Sequence, residues 1–157
     1  MNTVDEINVV VAGLHELDLV ATLFDKYRVF YNQESNLEAG RKFIEERMKE
    51  KQSVIFLVTQ EQVNDVLPLG FVQLFPSFSS VSMERLWILN DLYVDQSARR
   101  LGVAKLLLEK AKEYAIQTNS KGLVLETAID NLNAQRLYES IGYKKDSGTM
   151  HYSFYLK

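Results

Sequence analysis

The 157-residue sequence contains no cysteine, and this absence excludes disulfide bonds, thiolate catalysis and cysteine-ligated zinc or iron–sulfur centres. Histidine is scarce as well. His15 and His151 have no partner at metal-ligand spacing, so we expect no metal site. No segment approaches the ~18–20 uninterrupted apolar residues of a transmembrane helix. The N-terminus lacks the basic and apolar regions of a signal peptide, and we therefore expect a cytoplasmic protein.

A strong charge of either sign is also missing. The chain carries 18 basic and 21 acidic residues, a formal net charge of −3. This balance does not indicate the strongly basic surface that binds nucleic acid. The content of 46% apolar and 25% charged residues is that of an ordinary globular protein, long enough to bury a good core. We predict a single domain over residues 1–157, with neither nucleic acid nor membrane as a partner.

Hydrophobic periodicity predicts a mixed α+β fold. Apolar residues recur at helical spacing over residues 14–31, along a more polar stretch at 37–51, after the segment 86–94, and at 131–141. Because a helix returns the chain from one strand to the next, the strands on either side of the third helix should be parallel. The predicted strands are 7–12, 53–59, 69–75, 86–94 and 123–128, followed by a terminal antiparallel pair, 143–145 with 151–156.

The most informative stretch joins the strand at 86–94 to the helix after it. The junction reads Arg99-Arg100-Leu101-Gly102-Val103-Ala104, with two arginines and two small residues where a helix begins. The first turn of a helix has backbone N–H groups without internal partners, and the helix dipole adds partial positive charge there. Small residues let an anion approach those groups, and an arginine adds charge-assisted hydrogen bonds. We predict that this turn binds a phosphate, and we favour a diphosphate.

Two segments resemble one family. Arg-x-x-Gly-x-Ala after a Leu-Tyr-Val strand end resembles the acetyl-CoA signature of the GCN5-related N-acetyltransferases. The segment from Asn131 through Ala134, Tyr138 and Gly142 to Tyr143 is similar to the Asn-x-x-Ala-x-x-x-Tyr-Glu-x-x-Gly-Phe segment of the same family. The resemblance implies a twisted mixed sheet of six to seven strands flanked by four helices. It is closest to the small histone/polyamine-type branch, whose members often dimerise.

The resemblance also implies an activity and a set of cofactor contacts. The reaction would be direct transfer of acetyl from acetyl-CoA to a primary amine of a small molecule, such as a polyamine or an amino acid. Tyr138 would lie beside the cofactor sulfur and protonate the leaving thiolate. The other implied cofactor contacts are the backbone of Leu92, Tyr93 and Val94 for pantetheine and acetyl, the residues Arg99, Arg100, Leu101, Gly102, Val103, Ala104 and Lys105 for the pyrophosphate, and Asn131 for CoA.

The general base is less clear than the cofactor site. Asn90 occupies a position where several family members carry glutamate, and an amide is not a useful base. Asp91 is our candidate, although alternation along a strand places it on the opposite face from Asn90. Glu84 and Glu126 are further options acting through water. We take Asn90, Asp91, Glu126 and Tyr31, near the end of the first helix, as candidate substrate contacts.

Each of these residues also has an ordinary structural role to weigh. Tyr138 fits a core aromatic on a helix face, the two arginines fit solvated surface, and Asn131 fits a helix N-cap. Three other functions stay open from the sequence. They are a non-catalytic CoA-binding sensor, a protein lysine acetyltransferase, and transfer of a longer acyl chain or to an aminoglycoside-like acceptor.

Overall fold

The computed structural model describes residues 6–157 and confirms a mixed α+β fold. Residues 6–126 form one compact unit and residues 127–157 form a second. The first unit contains strands β1 (Ile7–Val11), β2 (Val54–Gln62), β3 (Asp65–Ser79), β4 (Glu84–Val94) and β5 (Leu123–Val124), with helices α1 (Leu17–Phe30), α2 (Leu37–Lys49) and α3 (Val103–Gln117). The second unit contains helix α4 (Leu132–Ile141). The single domain expected for residues 1–157 stays a prediction.

The five strands form one sheet in the order β1-β2-β3-β4-β5. Neighbouring strands are antiparallel except β4 and β5, which are parallel, as the α3 crossover between them predicts. The parallel ladder is short, because only Trp87 and Ile88 of β4 pair with β5. Beyond Ile88, β4 therefore has a strand neighbour on the β3 side alone within residues 6–157.

The two faces of the sheet are covered by different helices. Phe56 lies between Ile55 and Leu57 on β2 and therefore points to the opposite face from both. Its ring lies 5.5 Å from that of Tyr114 on α3, so α3 covers that face. Helices α1 and α2 cover the other face, where the buried core cluster consists of Leu17, Val20, Leu23, Phe24, Ile44, Ile55, Leu57 and Phe71.

Strand β4 contains a β-bulge. Gln73 of β3 pairs with Asp91, whereas Leu74 pairs with Leu89, which leaves Asn90 as an extra residue opposite the shift. An extra residue reverses the facing of the side chains that follow it. The bulge therefore divides β4 into two halves, and the odd-numbered side chains of the two halves point to opposite faces of the sheet.

The ring contacts of β4 agree with this division. Before the bulge, Trp87 packs 5.1 Å from Tyr114 on α3. After the bulge, Tyr93 packs 6.4 Å from Tyr27 on α1. Without the bulge these odd-numbered residues would share one face. The inserted residue thus turns Asp91 and Tyr93 toward the α1 side.

The close approach of α3 to the sheet depends on Gly70. A Cβ atom on this residue would lie 2.8 Å from the Tyr93 carbonyl oxygen and 2.9 Å from Val103 Cγ1. Gly70 also pairs with Val94, the last residue of β4. The absence of a side chain at Gly70 therefore lets the N-terminus of α3 sit directly against the end of β4.

The sheet has five strands within residues 6–157, where six to seven were expected. Strand β5 ends at Val124 rather than at residue 128, and the pair expected between 143–145 and 151–156 is not formed. Two short strands alone are marginally stable in water, so alternation at 151–156 does not suffice to form a hairpin. The segment 60–68, between the predicted strands 53–59 and 69–75, is part of the β2–β3 hairpin, with Pro68 accommodated beside a register shift.

We predict that Gly70→Ala lowers the free energy of unfolding by about 2 kcal/mol, because the new methyl group overpacks the contact between α3 and the sheet. Gly13→Ala is the matched control. Its Cβ would come no closer than 3.8 Å to Glu16 Oε2, so we expect a change within about 0.5 kcal/mol. Urea denaturation of the three proteins measures both values, and equal losses in the two variants would contradict the close approach.

Candidate functional site

The first turn of α3 presents unpartnered backbone donors. The helix begins at Val103, after Arg100 and Gly102, which both have left-handed φ values, 69° and 75°. These two residues turn the chain sharply into the helix. In this turn, the N–H groups of Gly102, Val103, Ala104 and Lys105 have no hydrogen-bond acceptor among residues 6–157. Together with the helix dipole, they form a site that favours an anion.

Asp95 fixes the position of this turn by bonding to β3 and to α1. Sequence reasoning did not identify this residue. Its backbone N–H donates to the Leu69 carbonyl at 2.8 Å. Its carboxylate accepts from Lys26 Nζ at 2.8 Å and from the Ser97 N–H at 3.1 Å. Partial burial alone would raise the pKa of Asp95, but the hydrogen bonds from Lys26 and Ser97 outweigh it, and the pKa is lowered.

The arginines beside the turn are available to a ligand. Arg99 and Arg100 are exposed, and neither forms an ion pair with a carboxylate in the part of the chain that the structure describes. Gly102 has a left-handed φ of 75°, which itself favours glycine at this turn. The expectation that its missing side chain lets an anion approach stays a prediction.

The outer edge of β4, Leu92–Val94, lies next along the chain from this turn. On one side these residues pair with Val72, Phe71 and Gly70 of β3. On the other side β5 has already ended, because its last residue, Val124, pairs with Ile88. The outward backbone groups of this edge are therefore in a position to pair with an extended ligand, as an added strand would.

A buried carboxylate lies just before this edge. The side chain of Asp91 accepts hydrogen bonds from Gln73 Nε2, from Asn90 Nδ2 at 3.0 Å, and from the Tyr27 hydroxyl. Burial raises the pKa of Asp91, and these hydrogen bonds offset only part of that effect. The expectation that Asn90 and Asp91 face opposite ways is wrong, because the bulge brings their side chains into contact.

The amide of Gln73 adds an unused acceptor to this cluster. Gln73 is fully buried, and its Oε1 atom has no hydrogen-bond partner within residues 6–157. A buried carbonyl oxygen without a donor is costly. Gln73 Oε1 and the Asp91 carboxylate together can accept hydrogen bonds from a positively charged amine. Sequence reasoning missed Gln73, since an isolated glutamine in a strand carries no signal.

The remaining candidate substrate contacts are arranged differently. Tyr31 ends α1, is half exposed, and packs 5.0 Å from Tyr27, which bonds to Asp91. Glu84 begins β4 at the end opposite Asp91, about 23 Å away at 3.3 Å per residue, so the structure does not bring it to the cluster. Glu126 is exposed beyond the end of β5.

The second unit holds the other predicted cofactor contacts. The Asn131 side chain accepts a hydrogen bond from the Ala134 N–H at 3.2 Å, so it caps α4. The ring of Tyr138 lies 5.8 Å from that of Tyr143. The Tyr143 hydroxyl is buried with no partner among residues 6–157, and burial together with Tyr138 raises its pKa to about 12. Gly142 ends the helix with a φ of 118°.

The sequence model of the acetyltransferase (GNAT) family matches residues 18–143. The chain belongs to this family. It is therefore an acetyl-transferring enzyme, an N-acetyltransferase of the GNAT type. The non-catalytic sensor that the sequence left open is not favoured.

Several relatives support this membership. The Bacillus subtilis uncharacterized N-acetyltransferase YhfO is 45% identical over 133 residues, which cover 85% of this chain and 87% of that protein. A Haemophilus influenzae probable acetyltransferase is 34% identical over 128 residues, covering 82% and 84% of the two chains. An Arabidopsis thaliana L-ornithine N5-acetyltransferase, NATA1, is 34% identical over 83 residues, covering 52% of this chain and 36% of that one.

Solved structures agree on the GNAT fold. A crystal structure of a probable acetyltransferase is 45% identical, with a TM-score of 0.89, and covers 96% of this chain and 98% of its own. An aminoglycoside N-acetyltransferase in complex with CoA has a TM-score of 0.77 at 16% identity, covering 100% and 98% of the two chains. The second similarity shows the fold alone. No helix within residues 6–157 is long and apolar enough to cross a membrane.

The two aspartates should give opposite pH dependences of stability. The raised pKa of Asp91 means that its ionisation opposes folding. The wild type should therefore lose stability relative to Asp91→Asn as the pH rises from the ordinary carboxyl pKa of 3.8 through the raised value. The lowered pKa of Asp95 stabilises the fold above 3.8, and the advantage over Asp95→Asn should vanish as the pH falls through the lowered value.

Urea denaturation of the three proteins between pH 3 and pH 8 measures these differences. As the pH rises, the free energy of unfolding of Asp91→Asn should increase relative to that of the wild type. The free energy of unfolding of Asp95→Asn should decrease relative to that of the wild type. Parallel curves for the two variants would show that the burial of Asp91 and the pairing of Asp95 are wrongly described.

Proposed function

We propose that this acetyltransferase moves the acetyl group of acetyl-CoA to a primary amine of a small molecule, such as a polyamine or an amino acid. One observation carries the proposal: the unpartnered amides at the start of α3 follow a strand edge, Leu92–Val94, that lies beyond the last residue paired with β5. A ligand with a diphosphate at one end and an extended, amide-bearing arm at the other matches both features. Coenzyme A has this chemistry.

The diphosphate would be held by backbone rather than by a single side chain. The N–H groups of Gly102, Val103, Ala104 and Lys105 point at the anion, while Arg99 and Arg100 add charge and Leu101 continues the loop. The backbone of Leu92, Tyr93 and Val94 would pair with the pantetheine arm. An N–H of the same edge would polarise the acetyl carbonyl as negative charge develops on its oxygen.

The acceptor amine would enter beside Asp91. An ammonium group desolvated there would donate to the Asp91 carboxylate and to Gln73 Oε1, which otherwise lacks a donor. Asp91 with a raised pKa is a better base than an ordinary carboxylate, because its pKa lies closer to neutral pH. Asn90 would orient the carboxylate through its 3.0 Å hydrogen bond. Tyr31 and Glu126 remain proposed substrate contacts.

The contributions of the second unit rest on the family resemblance. We propose that Tyr138 donates a proton to the departing thiolate, since a phenol and a thiol have pKa values near ~10 and ~8.5. Asn131 would contact CoA while it caps α4. The Arabidopsis relative named for acetylation of L-ornithine supports a small primary amine as the acceptor class. The cytoplasmic location stays a prediction.

We also propose that the enzyme is a homodimer. The exposed fractions of Met150, Tyr152, Phe154 and Leu156 range from 81% to 90%. These residues alternate along the chain, so an extended segment presents them on one face. An exposed apolar segment of this kind can add to the sheet of another copy. A second copy of the chain is the proposed partner, in agreement with the dimer-forming branch that the sequence resembles.

Tyr138→Phe is expected to lower kcat by about 10²-fold or more while leaving the affinity for acetyl-CoA unchanged, because it removes only the proton donor. The assay measures CoA released with a panel of polyamines, amino acids and aminoglycosides as acceptors. Tyr143→Phe is the matched control, since it removes the neighbouring hydroxyl, and we expect its kcat to stay at the wild-type value. Full activity in Tyr138→Phe would remove Tyr138 as the acid, and no release with any amine would remove the proposed acceptor class.

Phe154→Asp should shift the protein from dimer to monomer, because a charge would have to be buried in the interface. Val81→Asp is the control. Val81 is 98% exposed in the turn between β3 and β4, and the same charge there should leave the oligomer unchanged. Size-exclusion chromatography with light scattering measures the mass. A monomeric wild type, or a variant that stays dimeric, would contradict the proposed role of the segment.

A further inference from the structure

A second cleft lies at the end of the first unit's sheet that is away from the start of α3. It has a volume of about 400 Å³, within the ~300–1,000 Å³ range of small-molecule sites. We call it the basal cleft and define it by Met48, Lys51, Ser53, Arg85, Trp87 and Tyr114. The acetyl-transfer site described above uses none of these residues.

The cleft is distant from the proposed cofactor site. Helix α3 connects the two, with Val103 at one end and Tyr114 in the cleft wall. At 1.5 Å per residue, these residues are about 16 Å apart along the helix. Along β4, Trp87 and Val94 are about 23 Å apart at 3.3 Å per residue. A ligand of ordinary size in the basal cleft would therefore not touch the diphosphate turn.

The charge of the cleft is of one sign. Lys51 and Arg85 supply two cationic groups, and no aspartate or glutamate among residues 6–157 lines the cleft. Neither cation forms an ion pair with a carboxylate in residues 6–157. A pair of unneutralised cations is notable in a chain of net charge −3. The arrangement favours an anion.

The guanidinium of Arg85 is held in place by aromatic rings. Its Cζ atom lies 5.5 Å from the centre of the Phe78 ring and 5.2 Å from that of Trp87. These contacts restrict the planar fork, which is the geometry that binds a carboxylate through two hydrogen bonds. Lys51 follows the end of α2 and has a left-handed φ of 53°.

The cleft also offers an unused hydroxyl and an apolar wall. The Ser53 hydroxyl oxygen is buried and has no hydrogen-bond partner within residues 6–157. The Trp87 ring packs 5.1 Å from that of Tyr114. The indole N–H donates to Thr118 Oγ1 at 2.9 Å and Trp87 is only 3% exposed, so the small part of the indole that lines the cleft is apolar. A ligand with an anionic head and an apolar body would pair with the two cations, accept a hydrogen bond from the Ser53 hydroxyl and lie against the apolar wall.

We propose that the basal cleft binds a small organic monocarboxylate with an apolar or aromatic body. The carboxylate pairs with Arg85 and Lys51 and accepts a hydrogen bond from Ser53, while the body lies against Trp87 and Tyr114. This binding is separate from acetyl transfer and does not depend on the proposed function.

The single tryptophan of the chain makes the test direct, because its indole N–H gives one resonance in a ¹⁵N-labelled sample. We expect phenylacetate to shift the Trp87 indole resonance of the full chain with saturation in the millimolar range. 2-Phenylethylamine has the same skeleton and the opposite charge, and it should bind at least about tenfold more weakly. Absence of saturation, or equal binding of acid and amine, would overturn the proposal.

Variants assign the binding to the cleft. Lys51→Gln and Arg85→Gln should each weaken phenylacetate binding by about tenfold or more, whereas Lys112→Gln, on the exposed side of α3, should bind as the wild type does. Release of CoA by each variant checks that the fold is intact. Lys51 is exposed, so its variant serves if Arg85→Gln does not fold. Wild-type affinity in Lys51→Gln would contradict the site.

Discussion

The backbone amides in the first turn of α3 have no acceptor of their own, and the rest of the structure holds them in one place. Gly102 supplies the left-handed turn that starts the helix, and Asp95 ties the preceding loop to β3 and to α1. Gly70 lets the helix approach the sheet at the end of β4. Unpartnered helix N-termini need water or a ligand. A rigid frame around such groups means that an anion finds them already oriented, at little cost in conformational entropy.

The bulge at Asn90 links this anion site to a second set of groups. It lets one strand pack Trp87 against α3 and, four residues later, bury Asp91 against α1. The same insertion places the Asn90 amide on the Asp91 carboxylate. A buried carboxylate with a raised pKa is costly for folding, and such costs are concentrated at functional sites. We therefore propose that the cluster with Gln73 and Tyr27 binds a charged acceptor.

Much of this architecture follows from the sequence. The four helices, the parallel β4–β5 pair and a helix start within residues 99–104 were predicted from periodicity and turn residues, because those features are local. The bulge was not, since residues 86–94 are apolar apart from the adjacent Asn90 and Asp91, and a run without alternation does not reveal an inserted residue. Gly70 and the Lys26–Asp95 pair depend on contacts between distant segments, which a single sequence does not display. The prediction of the terminal strand pair was wrong because alternation at 151–156 indicates an apolar face but does not indicate which segment would pair with it.

The central claim is that a diphosphate binds at the start of α3, and isothermal titration calorimetry with coenzyme A and with pantetheine tests it most directly. The two ligands share the arm that would pair with β4, but only coenzyme A carries the diphosphate. The account predicts saturable binding of coenzyme A, at least about 100-fold tighter than that of pantetheine, because charge-assisted hydrogen bonds are lost with the diphosphate. No saturation at millimolar coenzyme A, or equal affinity for both ligands, would contradict it.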